Sequence, residues 1–159
     1  MSEENSKRAP FVVEWRDGFR INISQVDREH MHLFTLVKQL DLETIKSTID
    51  ELLDYVVMHF SNEQKLMEDS NYPAFTAHLK LHEDFGGTVA DFLGAGDEWT
   101  ADRVHELRRF LNKWLIGHIM THDLRFGNWY RDHYGSAAPA AVVALQRKVG
   151  WFDRLLGRG

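Results

Sequence analysis

Four segments of this chain repeat apolar residues at intervals of three and four, and each repeat is interrupted by histidine. In the first, His30, Leu33, Phe34, Val37 and Leu40 fall at i, i+3, i+4, i+7 and i+10. In the second, from about Glu43 to Asp69, the stripe is Leu52, Val56, His59, Glu63 and Leu66. The third carries Phe75, His78, His82, Phe85 and Val89. The fourth, from about Ala101 to Asp132, carries Val104, Leu107, Leu111, Trp114, His118 and Phe126. Residues at this spacing share one face of a helix, and that face must be buried. The connections are short, which makes consecutive helices antiparallel neighbours. The expectation is an all-α fold, an up-down-up-down antiparallel four-helix bundle. Local signals agree with these limits. Ser24 with Asp27 resembles a capping box at the first helix. Pro73 suits the first turn of the third helix, and GAGDEW at 94–99 reads as a loop.

If packing were their only task, these inner faces would be wholly apolar. Instead they hold His30, His59, Glu63, His78, His82 and His118, with His122 and Asp123 close by. Burying one unpaired polar group costs about 1–3 kcal/mol, and an ionised carboxylate costs more. Such an accumulation in one core needs a partner, and a metal centre fits best. His59 with Glu63, and His78 with His82, are i, i+4 pairs, so each pair lies about one turn apart on one face. Imidazole is a common ligand of zinc, copper, iron and nickel. The chain has no cysteine, which excludes thiolate zinc sites, iron–sulfur clusters, disulfides and a cysteine nucleophile. Five histidines and two carboxylates exceed the four to six or so ligands that one ion usually takes, so two ions are expected. Imidazole-rich ligation with bridging carboxylates suits redox-active iron.

The motifs VDREHMHLF (26–34), HFSNEQKLM (59–67), HLKLH (78–82) and WLIGHIMTHD (114–123) resemble those of the hemerythrin family in its bacterial form, over about Trp15 to Tyr134. The resemblance implies a four-helix bundle holding two Fe ions in a non-haem, oxo- or hydroxo-bridged di-iron centre. It implies that His78, His82 and His118 saturate one iron. His30 and His59 hold the other and leave a position vacant for O2, and Glu63 and Asp123 bridge the pair. It further implies an oxygen pocket lined by Leu33, Phe60, Trp114, Leu115 and Ile119, whose dryness slows oxidation to the ferric form. Two positions depart from a simple match. Gln64 stands where the family often has a second Glu and is expected to face outward. His122, four residues after His118, aligns on a straight helix better than Asp123, which is five residues on and rotated by about 140°. Charge neutralisation and the family pattern H-x-x-x-x-D favour Asp123 as ligand. His122 is then expected beside the ligands, where it could tune potential or offer a proton.

The implied function is reversible O2 binding for storage, delivery or carriage, without turnover. The alternatives are an O2- or redox-sensing module signalling to a partner, or a di-iron oxidase or a peroxide- or NO-handling enzyme. A ferritin-like oxidase would require Glu-x-x-His pairs on the inner stripes, and no such pair lies on any of these four stripes. His32, His105 and His133 fall off the stripes and are expected in solvent, as are the charges of VDREH and DRVHELRR, with Asp27 as a cap. Phe34, Phe85 and Phe126 are expected to be plain core.

Residues 1–10 read as a disordered tail, 11–135 as the bundle with an N-terminal extended arm anchored by Trp15 and Phe19, and 136–159 as a linker and C-terminal amphipathic helical tail. In that tail Val142, Leu145, Val149, Phe152 and Leu156 repeat at helical spacing, and Arg147, Lys148, Arg154 and Arg158 outnumber Asp153. A basic amphipathic segment suits contact with a membrane surface or a protein partner. The net charge of −5 argues against nucleic acid as a partner. The polar start of the chain, and the lack of any apolar run near the ~20 residues of a membrane span, point to a cytoplasmic protein, peripheral to the inner membrane where the basic tail engages it.

Overall fold

The computed structural model describes residues 13–96 and 98–135. Among these there is no strand. A short 3-10 turn at Asp17–Phe19 is followed by α1 (Ser24–Lys38), α2 (Ile45–Asp69), α3 (Phe75–Gly94) and α4 (Ala101–His118). A five-residue π turn, Ile119–Asp123, then joins α4 to α5 (Leu124–Tyr134). Helical dihedrals continue through both junctions, so α4, the π turn and α5 form the fourth rod of the bundle. The tail expected at 1–10 and the segment 136–159 lie outside the described residues.

The helix ends explain the connections. The α2 terminus is a Schellman motif. Asn71 adopts φ 59°, the Tyr72 N–H donates to Met67 C=O at 2.9 Å, and the Asn71 N–H donates to Glu68 C=O at 3.1 Å. Pro73 lies in the next turn, closed by the Phe75 N–H donating to the Tyr72 C=O at 3.1 Å, and so precedes α3 rather than occupying its first turn. At α4, Thr100 Oγ1 accepts from the Arg103 N–H at 3.1 Å, an ordinary N-cap.

The start of α1 differs from the capping box expected of Ser24. Ile23 is the cap residue and offers no side-chain bond. Asp27 instead reaches backward, accepting from the Ile21 N–H at 2.8 Å and the Asn22 N–H at 3.1 Å. Asn22 sits at φ 64°, a conformation that Asn tolerates better than most residues. Asp27 thus ties the arm to the helix, and it is buried rather than solvated. The arm also needs Gly127 on α5. A Cβ there would lie 2.5 Å from the Ile21 carbonyl oxygen. Trp15 and Phe19 anchor the arm, with Phe19 stacked on Phe34 at 5.3 Å.

All four stripes face inward. Leu33, Phe34, Val37, Leu52, Val56, Leu66, Phe85, Val89, Val104, Leu107, Leu111 and Phe126 are buried in one core. The charges of the 102–109 stretch are less free than expected. Arg108 donates across the bundle to the Leu40 carbonyl at the end of α1. Arg103 lies over the Phe92 and Trp99 rings, at 5.0 and 4.5 Å, and donates to the Phe92 carbonyl at 2.7 Å. Among the described residues, no helix is long and apolar enough to cross a membrane.

Candidate metal centre

The polar residues on the four stripes meet in the middle of the bundle. His78 and His82 arrive from adjacent turns of α3, and His118 from the last residue of α4. The Nε2 atoms of His82 and His118, and of His118 and His78, are each 3.1 Å apart. On the other side, His30 from α1 and His59 from α2 approach each other, with ring centroids 4.8 Å apart. Donor atoms of Glu63, His78, His82 and His118 lie within 4.8 Å of one another, as do those of His30, His59 and Glu63.

The two carboxylates span the two groups. Glu63 places Oε1 2.8 Å from His78 Nε2 and Oε2 3.1 Å from His59 Nε2. Asp123 places Oδ1 3.2 Å from both His78 Nε2 and His118 Nε2, and Oδ2 3.1 Å from His30 Nε2. Both are at most 1% exposed.

The helix geometry that brings Asp123 here is the π turn. On a straight α-helix a residue five positions on points about 140° away. Between 119 and 123 the backbone switches register, and the Leu124 N–H donates to Ile119 C=O five residues back. Wider winding returns Asp123 to the face of His118, and π turns of this kind concentrate at functional sites. His122 is displaced to the side. Its ring lies 5.5 Å from that of His118 and 6.4 Å from that of His78, and it remains partly exposed.

The donor set fits a pair of cations better than a hydrogen-bond network. His30 Nε2 and all four oxygens of Glu63 and Asp123 are buried, and despite the short distances none has an aligned hydrogen-bond partner. Atoms about 3 Å apart and misaligned with one another are what ligands at right angles around one ion produce, given a metal–imidazole bond of about 2.1 Å. Charges in the cluster are strongly coupled. Burial disfavours the charged forms of His59 and His78, but the surrounding carboxylates (Glu29 and Glu63 for His59, Glu63 and Asp123 for His78) raise both to about 10. Burial and Asp123 push the Glu63 carboxyl up, and His78 and His59 outweigh them, bringing it to about 2. Asp123 is held well below the ordinary range because His118 and its other neighbours outweigh burial. His82 is driven well below its ordinary value by burial.

The family model for the hemerythrin HHE cation binding domain matches residues 22–130. The chain belongs to the hemerythrin family. It is 30% identical over 157 residues to a bacteriohemerythrin of Stenotrophomonas maltophilia, covering 92% of this chain and 97% of that one. It is 29% identical over 154 residues to a bacteriohemerythrin of Pseudomonas aeruginosa, with 91% and 95% covered. A hemerythrin-like protein of Naegleria gruberi is 31% identical over 118 residues, covering 74% and 92%. A crystal structure of a leucine-to-phenylalanine mutant protein superposes with a TM-score of 0.64 at 29% identity, covering 74% of this chain and 95% of that chain.

In this hemerythrin-family bundle the seven residues expected as ligands converge, and two residues expected in solvent join them from behind. Glu29 is 6% exposed, and its Oε1 lies 2.7 Å from His59 Nδ1. Its other oxygen accepts from Asn62 at 2.9 Å and Gln25 at 3.1 Å. Gln64, expected to face outward, turns in, and its amide is 3.1 Å from His82 Nδ1. The amide atom facing the ring is its nitrogen, Nε2. Each directs its imidazole through the nitrogen that faces away from the cluster.

Of the five expected pocket residues, Leu33, Phe60, Leu115 and Ile119 are buried and Trp114 is partly exposed. Phe60 lies flat on His82 at 3.7 Å and 1°, and Trp114 on His118 at 4.4 Å and 13°. Phe34, Phe85 and Phe126 are core. His32 and His133 are exposed and His105 partly so.

Proposed function

We propose that this protein binds O2 reversibly at a non-haem di-iron centre, for storage, delivery or carriage, rather than turning over a substrate. One observation carries the reading: three imidazoles converge on one half of the cluster and two on the other, with two carboxylates reaching both. His78, His82 and His118 would hold one iron, His30 and His59 the second, with Glu63 and Asp123 between them. The half with fewer nitrogens would leave a coordination position for an exogenous ligand. Iron, when bound, supplies the electrons that O2 binding requires.

The chain's own residues do the rest. Glu63 and Asp123 bring two negative charges into a site sealed from water, which offsets the charge of two cations. Glu29 orients His59 and Gln64 orients His82. Leu33, Phe60, Trp114, Leu115 and Ile119 would exclude water and protons from the bound gas. A polar residue at Leu115 is expected to speed oxidation to the ferric form.

Anaerobic loading with ferrous iron tests the reading. Two irons per chain, and a visible charge-transfer band that appears with O2 and fades when the gas is removed, are expected. Steady consumption of O2 in the presence of a reductant and an oxidisable substrate would replace binding with oxidase chemistry.

A further inference from the structure

His122 borders the proposed centre from the π turn and holds no place among its ligands. It is neither sealed in with the ligands nor free of them. The ligand histidines His30, His59, His78, His82 and His118 are at most 6% exposed, and Asp123 is at 0%. His122 is partly exposed, while its ring contacts those of His118 and His78, both on the three-histidine half. It lies within the π turn, between exposed Met120 and Thr121 on one side and buried Asp123 on the other.

That position answers a question posed by the burial of the ligands. A hydrated cation needs a route into a closed bundle, and donors along the route, because stripping its water without replacement is costly. The π turn is the natural place to open. There the regular α-helical hydrogen bonding of the fourth rod is interrupted. It carries Asp123 and follows His118 directly, so one local opening withdraws two donors together.

We infer that His122 is the entry ligand of the centre, taking a divalent cation from solvent and passing it to His118 and His78 through the π turn. The step is ligand exchange alone. Imidazole of His122 replaces one water on the ion, and the nitrogens of His118 and His78 then replace His122 and further waters. No electron moves, and protons displaced from the histidines pass to solvent. The inference rests on the metal-centre reading above.

Uptake and release of cobalt(II) by the metal-free full-length protein test it, followed by stopped-flow visible absorption, with release driven by a chelator. In His122→Leu, both uptake and release are expected to slow about tenfold, the effect of about 1.4 kcal/mol on a barrier. The dissociation constant, the final spectrum and the stoichiometry should stay unchanged. His122→Asp keeps a donor and should retain fast exchange. Unchanged rates in His122→Leu overturn the inference, and so does a slower rate accompanied by weaker equilibrium binding or a lost equivalent, which would make His122 a resident ligand. If the unsubstituted protein takes up no cobalt, the metal-centre reading falls and takes this one with it.

Discussion

The two halves of the cluster share Glu63 and Asp123, yet they are supported in different ways. The three-histidine half is held by packing. Phe60 and Trp114 lie flat against His82 and His118, and the remote nitrogen of His82 meets the neutral amide of Gln64. The two-histidine half is held by charge. Glu29 grips His59 at 2.7 Å and is itself fixed by Asn62 and Gln25. A carboxylate on the far nitrogen makes an imidazole more basic and a better donor; an amide mainly orients it. The half with fewer donors therefore has the stronger partner behind one of them, and the half with more donors is positioned largely by aromatic faces.

The largest effect should come from the element the halves share. Glu63→Ala is expected to weaken metal binding by more than about a hundredfold at both halves, read as metal per chain after dialysis. Retention of a full equivalent would show that the carboxylate serves one half only. Next comes Glu29→Ala, where a loss of about 10- to 100-fold is expected for one of two equivalents, seen as a split in a metal titration. Equal loss of both equivalents would erase the distinction between the halves.

What the sequence made legible follows the same line. Stripe positions declare themselves, because burial of a face is set by helical period alone. Hence His30, His59, His78, His82 and His118 could be placed on the inner faces before any fold was in hand. Glu29 and Gln64 sit one residue to the side of His30 and Glu63, on helix flanks. Whether a flank is wet or buried depends on the neighbouring helix, and period alone does not reveal that. The i, i+4 pair Gln25 and Glu29 was the available hint, since two polar residues on one flank beside a histidine stripe can act on the next helix. Asp123 had a plainer signal. Its five-residue spacing from His118 conflicts with α geometry, and such a conflict at a candidate ligand points to a π turn.

The halves should also share a response to protons. Without metal, His59 in one and His78 in the other titrate near 10 because carboxylates outweigh burial. A histidine whose folded pKa is raised gives stability that is complete below its unfolded value of about 6.5 and is lost as pH rises through the folded one. The metal-free protein should therefore lose thermal stability between about pH 6.5 and 10, read as a Tm that falls across that window. Metal affinity should rise over the same window, since protons are what the cation displaces. A flat metal-free melting profile across that window would mean the carboxylates do not hold these rings charged. Glu29→Ala should lower the His59 value and shift its share of the loss to lower pH, leaving that of His78 in place.

The smallest effect is expected at Gln64. In Gln64→Ala the His82 ring keeps its stack with Phe60 at 3.7 Å, so its direction survives the loss of the amide. Only a neutral hydrogen bond disappears, worth about 0.5–1.5 kcal/mol, which corresponds to a severalfold change in affinity at the three-histidine half. Gln64→Glu is the sharper experiment, because it gives His82 the kind of partner that His59 already has. If charge behind the imidazole is what separates the halves, this substitution should tighten binding at the three-histidine half and raise the His82 pKa from its depressed position. If it weakens binding instead, burial of the added carboxylate outweighs its attraction for the ring. The aromatic support would then be what makes a neutral amide the better partner on that side.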